Sequence, residues 1–254
     1  MFPAPGMRRG RCARAHERKR RRSRAGLRAE AASPLRTFFT GGVEFDDGLE
    51  PRLVEAITAE AMEVIERLAI PAAWGAGVEL KLRRLQRHRA DGLYYPEQRI
   101  LVLDPRVPTS FCHELGHLID YRAGEHVPTR LPSAVWSSSS EFRPFHCALV
   151  AAMRRIPPGD PRVASRRGRL TWSYFASSSE CFARSFEQSA VELLSQTTLL
   201  ARGREDYQRD PFFFERVPPG LIDFFRTVLA RPPTESPAAI APNPGEFGPF
   251  VVSS

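Results

Sequence analysis

In TSFCHELGHLIDY (residues 109–121) two histidines stand four residues apart, with a glutamate directly after the first. Residues i and i+4 of a helix lie about 40° apart around its axis, so His113 and His117 project from one face. Imidazole nitrogens so placed are suited to a cation such as zinc, which binds nitrogen and oxygen donors at about 2.0–2.2 Å. Glu114 lies too far round to bind together with both histidines, and is placed to act as general base on a metal-activated water. Asp120, seven residues after His113 and three after His117, shares their face and can accept an imidazole N–H, fixing the ring's tautomer. Gly116 also lies there. A glycine inside a helix costs roughly 1 kcal/mol relative to alanine, which close approach of another backbone, or of substrate, would offset. HExxH arises by chance in on the order of one chain in a hundred of this length. The alternative is therefore a surface helix carrying two titrating histidines.

Catalysis needs a third ligand. A histidine-third pattern, HExxHxxGxxH, would require histidine at position 123, which is Ala123. His126 and His146 fall in or near loops. Glu180 opens the segment ECFARSFE, with Glu187 two turns further on. Two histidines and one glutamate form a known catalytic zinc set. Glu180 is the expected third ligand, with Glu187 its competitor and otherwise a supporting partner behind the ligands. Cys112 and Cys181 adjoin these positions, but each is offset by about 100° round its helix, so both are expected to pack as small apolar residues. The four cysteines, Cys12, Cys112, Cys147 and Cys181, form no CxxC pair and read as free thiols in a reducing compartment.

The elements that position these residues follow from periodicity. Leu53, Ile57, Ala61, Val64, Ile65 and Leu68 recur at helical spacing, with Pro51 suited to a first turn, predicting a helix over 50–69. VELKLRRL alternates Val78, Leu80 and Leu82 against Glu79, Lys81 and Arg83, the pattern of a half-buried strand. LYYPEQRILVLDP predicts a hairpin turning at Pro96 and Glu97, its second arm running over 100–103. That arm, RILVLD, is expected at a sheet edge where an extended peptide can lie. Pro108, Thr109 and Ser110 offer a start for the histidine helix, with Thr109 or Ser110 as cap. Further helices are expected over 141–156 (Phe142, Phe145, Leu149 and Met153 on one side), over 178–196 with Ser178 or Ser179 as cap, and over 220–230. The whole predicts an α+β domain over 34–230, with a small sheet or hairpin packed on the HExxH helix and a second ligand-bearing helix.

HELGHLID followed by Tyr174, five intervening residues and ECFARSFE resembles the zinc metallopeptidase domain of anthrax lethal factor and its relatives. It is also similar to zincin-like domains of large polyvalent phage and mobile-element proteins, with their helix of pattern E-x-F-A-R-x-F-E. The resemblance covers roughly residues 93–195. It implies a zincin-like fold of gluzincin type, with zinc bound by His113, His117 and Glu180 and with Glu114 as general base. It further implies that Tyr174 stabilises an oxyanion. The chain between His117 and Tyr174 is longer than the corresponding toxin segment, and the toxin's kinase-recognition regions have no counterpart, so no particular substrate carries over. The implied activity is zinc-dependent hydrolysis of a protein or peptide.

Charge is unevenly placed. The formal net charge is +8, yet residues 1–30 hold eleven Arg/Lys against Glu17 and Glu30, and the remaining 224 residues are close to neutral. Residues 1–33 are expected to form a disordered Arg-rich tail, and the Pro-rich stretch 231–254 a flexible one. Residues 8–28 can contact nucleic acid through phosphates, although the chain's use of 35 Arg to only Lys19 and Lys81 is a skew that base composition alone can produce. No apolar run of eighteen residues suggests a membrane span, and no apolar stretch follows the basic N-terminus as in an export signal. A cytoplasmic enzyme is the expectation. The rivals are an inactive zinc-binding interaction module and a nucleic-acid-associated protein using the basic tail.

Overall fold

The computed structural model describes residues 23–85, 90–123, 136–157, 160, 172–194 and 199–231. The first element, helix α1 (Arg24–Ala32), falls inside the stretch expected to be disordered. Its Ser23 hydroxyl accepts the Gly26 amide at 3.0 Å, an N-cap. At its far end the buried Glu30 carboxylate accepts the Phe45 amide at 2.8 Å, tying α1 to the first strand. Ordered structure is therefore present ahead of the boundary expected at residue 34. Residues 1–22, with most of the basic run, and 232–254 lie outside the described residues.

After α1 come strand β1 (Gly42–Phe45), helix α2 (Pro51–Arg67), and strands β2 (Glu79–Leu82), β3 (Gly92–Tyr95) and β4 (Ile100–Leu103). Pro51 occupies the first turn of α2, and Ile57, Ala61, Val64 and Ile65 form its buried stripe. The four strands make one sheet in the order β1-β2-β4-β3. β1 and β4 run parallel to β2, and β3 runs antiparallel to β4, with Tyr95 opposite Ile100. The hairpin turns over 96–99, where Arg99 takes a left-handed φ of 53°.

Two expectations about this sheet are overturned. RILVLD is not an edge: β4 is hydrogen-bonded to β2 on one side and β3 on the other. The strand at that end of the sheet is β3. Nor is β2 half-buried. Its apolar row joins the main core, but the opposite row is buried too, with Lys81 1 % exposed. Lys81 Nζ lies 3.2 Å from Glu79 Oε2 and 3.6 Å from Glu44 Oε2, and Arg83 pairs with Glu44. A charged residue leaves water when partners travel with it, and period-two alternation cannot reveal those partners.

The histidine segment is helix α3 (Phe111–Arg122), entered through a tight turn over Pro108–Ser110. No side-chain cap forms there. Ser110 already has helical backbone, and its hydroxyl donates to the Val107 carbonyl at 3.3 Å. Helices α4 (Arg143–Arg154), α5 (Trp172–Phe175), α6 (Ser178–Leu194), α7 (Arg204–Arg209) and α8 (Leu221–Leu229) complete the described chain. On α4, Phe142, Leu149 and Met153 are buried as expected, while Phe145 is only partly so. On α6, Leu194 is fully buried and Leu193 partly so. Phe142, Phe182, Phe186 and Phe225 knit α4, α6 and α8 through edge-to-face contacts with centroids 5.1–5.3 Å apart. No helix of the described residues is long and apolar enough to cross a membrane.

Candidate metal centre

Every residue of α3 is buried, so the surface-helix alternative fails: the polar face of this helix packs on α6. A Cβ added to Gly116 would come within 2.8 Å of the Ala183 Cα. Backbone therefore approaches backbone at the one glycine of α3, and α6 lies close enough to deliver carboxylates to the histidines of α3.

Three donors converge there. His113 Nε2 and His117 Nε2 are 3.1 Å apart. Glu180 Oε2 is 3.6 Å from the first and Glu180 Oε1 is 3.3 Å from the second. Tetrahedral donors held about 2.0–2.1 Å from an ion are separated by roughly 3.3–3.4 Å, and the three gaps bracket that value. Two unprotonated ring nitrogens this close repel unless something positive lies between them. His113, His117 and Glu180 are all buried and form the one His/Cys/Asp/Glu group among the described residues that can hold a metal ion.

The far side of each ring agrees. His113 Nδ1 meets Glu187 Oε2 at 3.2 Å, and His117 Nδ1 meets the Ser179 hydroxyl at 3.3 Å. With Nδ1–H donating outward on both rings, the Nε2 lone pairs face the shared point. Glu187 thus stands behind His113, on the far side of the ring from the convergence point. Asp120 does not touch an imidazole in the expected way. Its Oδ1 accepts the Ser137 amide at 2.8 Å, and it reaches His117 only by way of Ser179, which the sequence suggested merely as a helix cap. Burial pushes the Asp120 carboxyl up to about 7, against the Ser137 amide and the hydroxyls of Ser137 and Ser179.

Charge is out of balance in this dry region. Glu114, Glu180 and Glu187 are all buried around the two rings. Burial lowers the His113 pKa, but Glu180 and Glu187 outweigh it and raise it to about 10. Burial leaves His117 below the ordinary imidazole value despite Glu180. Burial raises the Glu180 carboxyl, yet the two imidazoles hold it well below the usual range. Three buried carboxylates around two imidazoles leave a negative excess that a divalent cation would offset.

Glu114 is fully buried, and among the described residues neither carboxylate oxygen has a hydrogen-bonding partner. Burial pushes it up to about 8; His113 lowers it, and Glu180, Glu187 and Asp91 raise it further. It lies against Gly92 of β3, where an added Cβ would fall 2.6 Å from Glu114 Cγ. Tyr174, on α5, is partly buried and hydrogen-bonds Glu180; burial and that carboxylate push its hydroxyl well above the ordinary value. Arg184 of α6 holds this tyrosine's turn in place, donating to the Phe175 carbonyl and, at 3.3 Å, to the Phe212 carbonyl.

The other candidates fall away from the centre. Cys112 and Cys181 are free, buried and part of the apolar core. Burial pushes the Cys181 thiol up to about 11 and Cys112 higher still. His146 lies on α4 with its Nε2 2.9 Å from the Ala176 carbonyl, and His126 lies outside the described residues. Sequence reasoning missed Ser179, for which adjacency to Glu180 was the available signal. It also missed Gly92, and Tyr207, whose hydroxyl donates to Glu187 Oε1 at 2.8 Å; nothing local marks either. Comparison of the chain with family models, curated proteins and solved structures finds no match.

Proposed function

We propose that the chain is a zinc-dependent metallopeptidase of the gluzincin type, with His113, His117 and Glu180 as metal ligands. The observation that carries this reading is the pairing of two features: three donors 3.1–3.6 Å apart and a buried, unpartnered carboxylate, Glu114, beside them. Two imidazoles and one carboxylate suit zinc, and three protein ligands leave the open position that separates catalytic from structural sites. When bound, the ion polarises a carbonyl and acidifies water.

The remaining chemistry belongs to the chain. Glu114 takes a proton from the attacking water and returns it to the leaving amine. The Tyr174 hydroxyl, placed beside Glu180, donates to the oxyanion that develops on the scissile carbonyl. β3 supplies the peptide-binding edge once expected of β4: it ends the sheet among the described residues, and Gly92 brings it against Glu114. An extended peptide added along β3 would carry its backbone past the base.

Incubating the zinc-loaded protein with a peptide library, followed by mass spectrometry, tests this. Wild type cleaves a subset of peptides, while Glu114→Gln keeps its zinc and loses activity by about 10²–10⁴-fold. Equal cleavage by the two proteins refutes the assignment of the base.

A further inference from the structure

The Glu187 carboxylate stands one step back from the donor atoms, with one oxygen on His113 Nδ1. Its other oxygen is engaged from the opposite side. The Tyr207 hydroxyl donates to Oε1 at 2.8 Å, and Arg202 Nε lies 3.8 Å from the same atom. Tyr207 sits on α7 and Arg202 just before it, so a segment that supplies no ligand reaches the centre from behind α6.

Tyr207 is itself fixed. Its hydroxyl oxygen accepts the Arg202 amide at 3.2 Å, and its ring meets Phe213 nearly perpendicular at 4.9 Å. The Arg202 guanidinium lies 5.6 Å from the Tyr207 ring centroid and 5.2 Å from that of Phe213. Arg202 Nη1 donates to Asp210 Oδ2 at 3.0 Å, and Asp210 Oδ1 accepts the Phe212 amide at 3.0 Å. Tyr207 is 1 % exposed and Glu187 2 %, so water does not compete for the hydrogen bond between them.

We propose that Tyr207 and Arg202 are positioning residues for the metal centre: acting through Glu187, they hold His113 with Nδ1–H turned to the carboxylate and Nε2 turned to the ion. This rests on the reading of His113, His117 and Glu180 as that centre. A carboxylate behind a ligand imidazole fixes the ring only if it cannot itself rotate. With Oε1 committed to the Tyr207 hydroxyl, Oε2 is left to His113 alone. Removing that hydroxyl frees Glu187 to turn and lets His113 change tautomer. A tyrosine that only filled space would be replaced by phenylalanine without effect on the metal.

The test measures Zn²⁺ affinity by competition with a chromophoric chelator, and the visible spectrum of the Co²⁺ form. The proteins are wild type, Tyr207→Phe, Arg202→Gln, Glu187→Gln, the Tyr207→Phe/Glu187→Gln double variant, and His113→Ala. Glu187→Gln weakens zinc by about 10–100-fold, and Tyr207→Phe and Arg202→Gln by about 10-fold, the lower end of effects seen for residues behind a ligand. The Co²⁺ bands shift in each. In the Glu187→Gln background Tyr207→Phe costs nothing further, because its route to the metal is already cut. Unchanged affinity and spectrum in Tyr207→Phe, or an equal loss in both backgrounds, overturns the proposal. If wild type binds no zinc, or His113→Ala binds it as tightly, the metal centre falls and the positioning role with it. Tight binding that His113→Ala abolishes and Tyr207→Phe leaves untouched removes the positioning role alone.

Discussion

Each imidazole of the pair has its outward nitrogen on an acceptor, Glu187 for His113 and Ser179 for His117, so the inward nitrogens are left to meet each other and Glu180. That division of labour sets different outcomes for neighbouring substitutions. His113→Ala and Glu180→Ala remove donors and lower zinc affinity by well over 10-fold, read by chelator competition; wild-type affinity in Glu180→Ala moves the third ligand elsewhere. Ser179→Ala removes only a support, and its loss falls in the roughly 10–100-fold range of outer partners. Spacing in the sequence made the pairing of His113 and His117 legible, because i, i+4 geometry is local. It also placed Glu180, since a carboxylate at a helix start can be aimed at a neighbour. Asp120 was misjudged because sharing a helix face says nothing about which hydroxyl, here that of Ser179, comes between.

At the scale of elements, the centre depends on how closely α6 lies against α3. Gly116→Ala adds a methyl 2.8 Å from the Ala183 Cα, so the helices must separate. The gain of roughly 1 kcal/mol in helix propensity is outweighed by an overpacking cost of about 1–3 kcal/mol. Urea unfolding is expected to show net destabilisation, and zinc affinity to fall with it. A more stable Gly116→Ala protein contradicts the packing described. Arg184→Met removes the donors to the Phe175 and Phe212 carbonyls and loosens the turn that bears Tyr174. Peptide cleavage drops while zinc affinity changes little; equal drops in both place Arg184 with the ligands instead. The hairpin and most helices were legible from periodicity. The sheet order was not, because apolar strands such as β4 look alike at an edge and in the middle. The buried Lys81 and Arg83 were equally hidden, since their shared partner Glu44 is supplied by the neighbouring strand β1. The α1 helix escaped notice because the arginine run around it has the composition of a solvated tail, and its anchors, Glu30 on the Phe45 amide and Asp47 on the Ser23 amide, are made by the fold.

The proposed metal centre links stability to metal over the whole molecule. An ion that binds only the folded chain adds about 2.7 kcal/mol at a hundredfold excess over its Kd, so chelation is expected to lower the thermal midpoint and zinc to restore it. Acid reverses the effect as the imidazoles take up protons. Asp104 adds a separate acid sensitivity. Burial raises its pKa, but hydrogen bonds from the Arg106 side chain and from the Leu85 and Arg106 amides hold it below the ordinary carboxylate value. A depressed folded-state pKa stabilises the fold above the unfolded value, and that contribution is lost as pH falls through the folded one. Asp104→Asn therefore destabilises the apo protein near neutrality and much less at the acid end of a denaturation series; a constant deficit across that range contradicts the assignment. The central claim is tested most directly by zinc K-edge absorption on the stoichiometric complex. The account predicts one ion per chain with nitrogen and oxygen neighbours alone at about 2.0–2.2 Å, two of them imidazole, and loss of an oxygen neighbour in Glu180→Ala. A sulfur neighbour at about 2.3 Å, or no bound zinc, contradicts it.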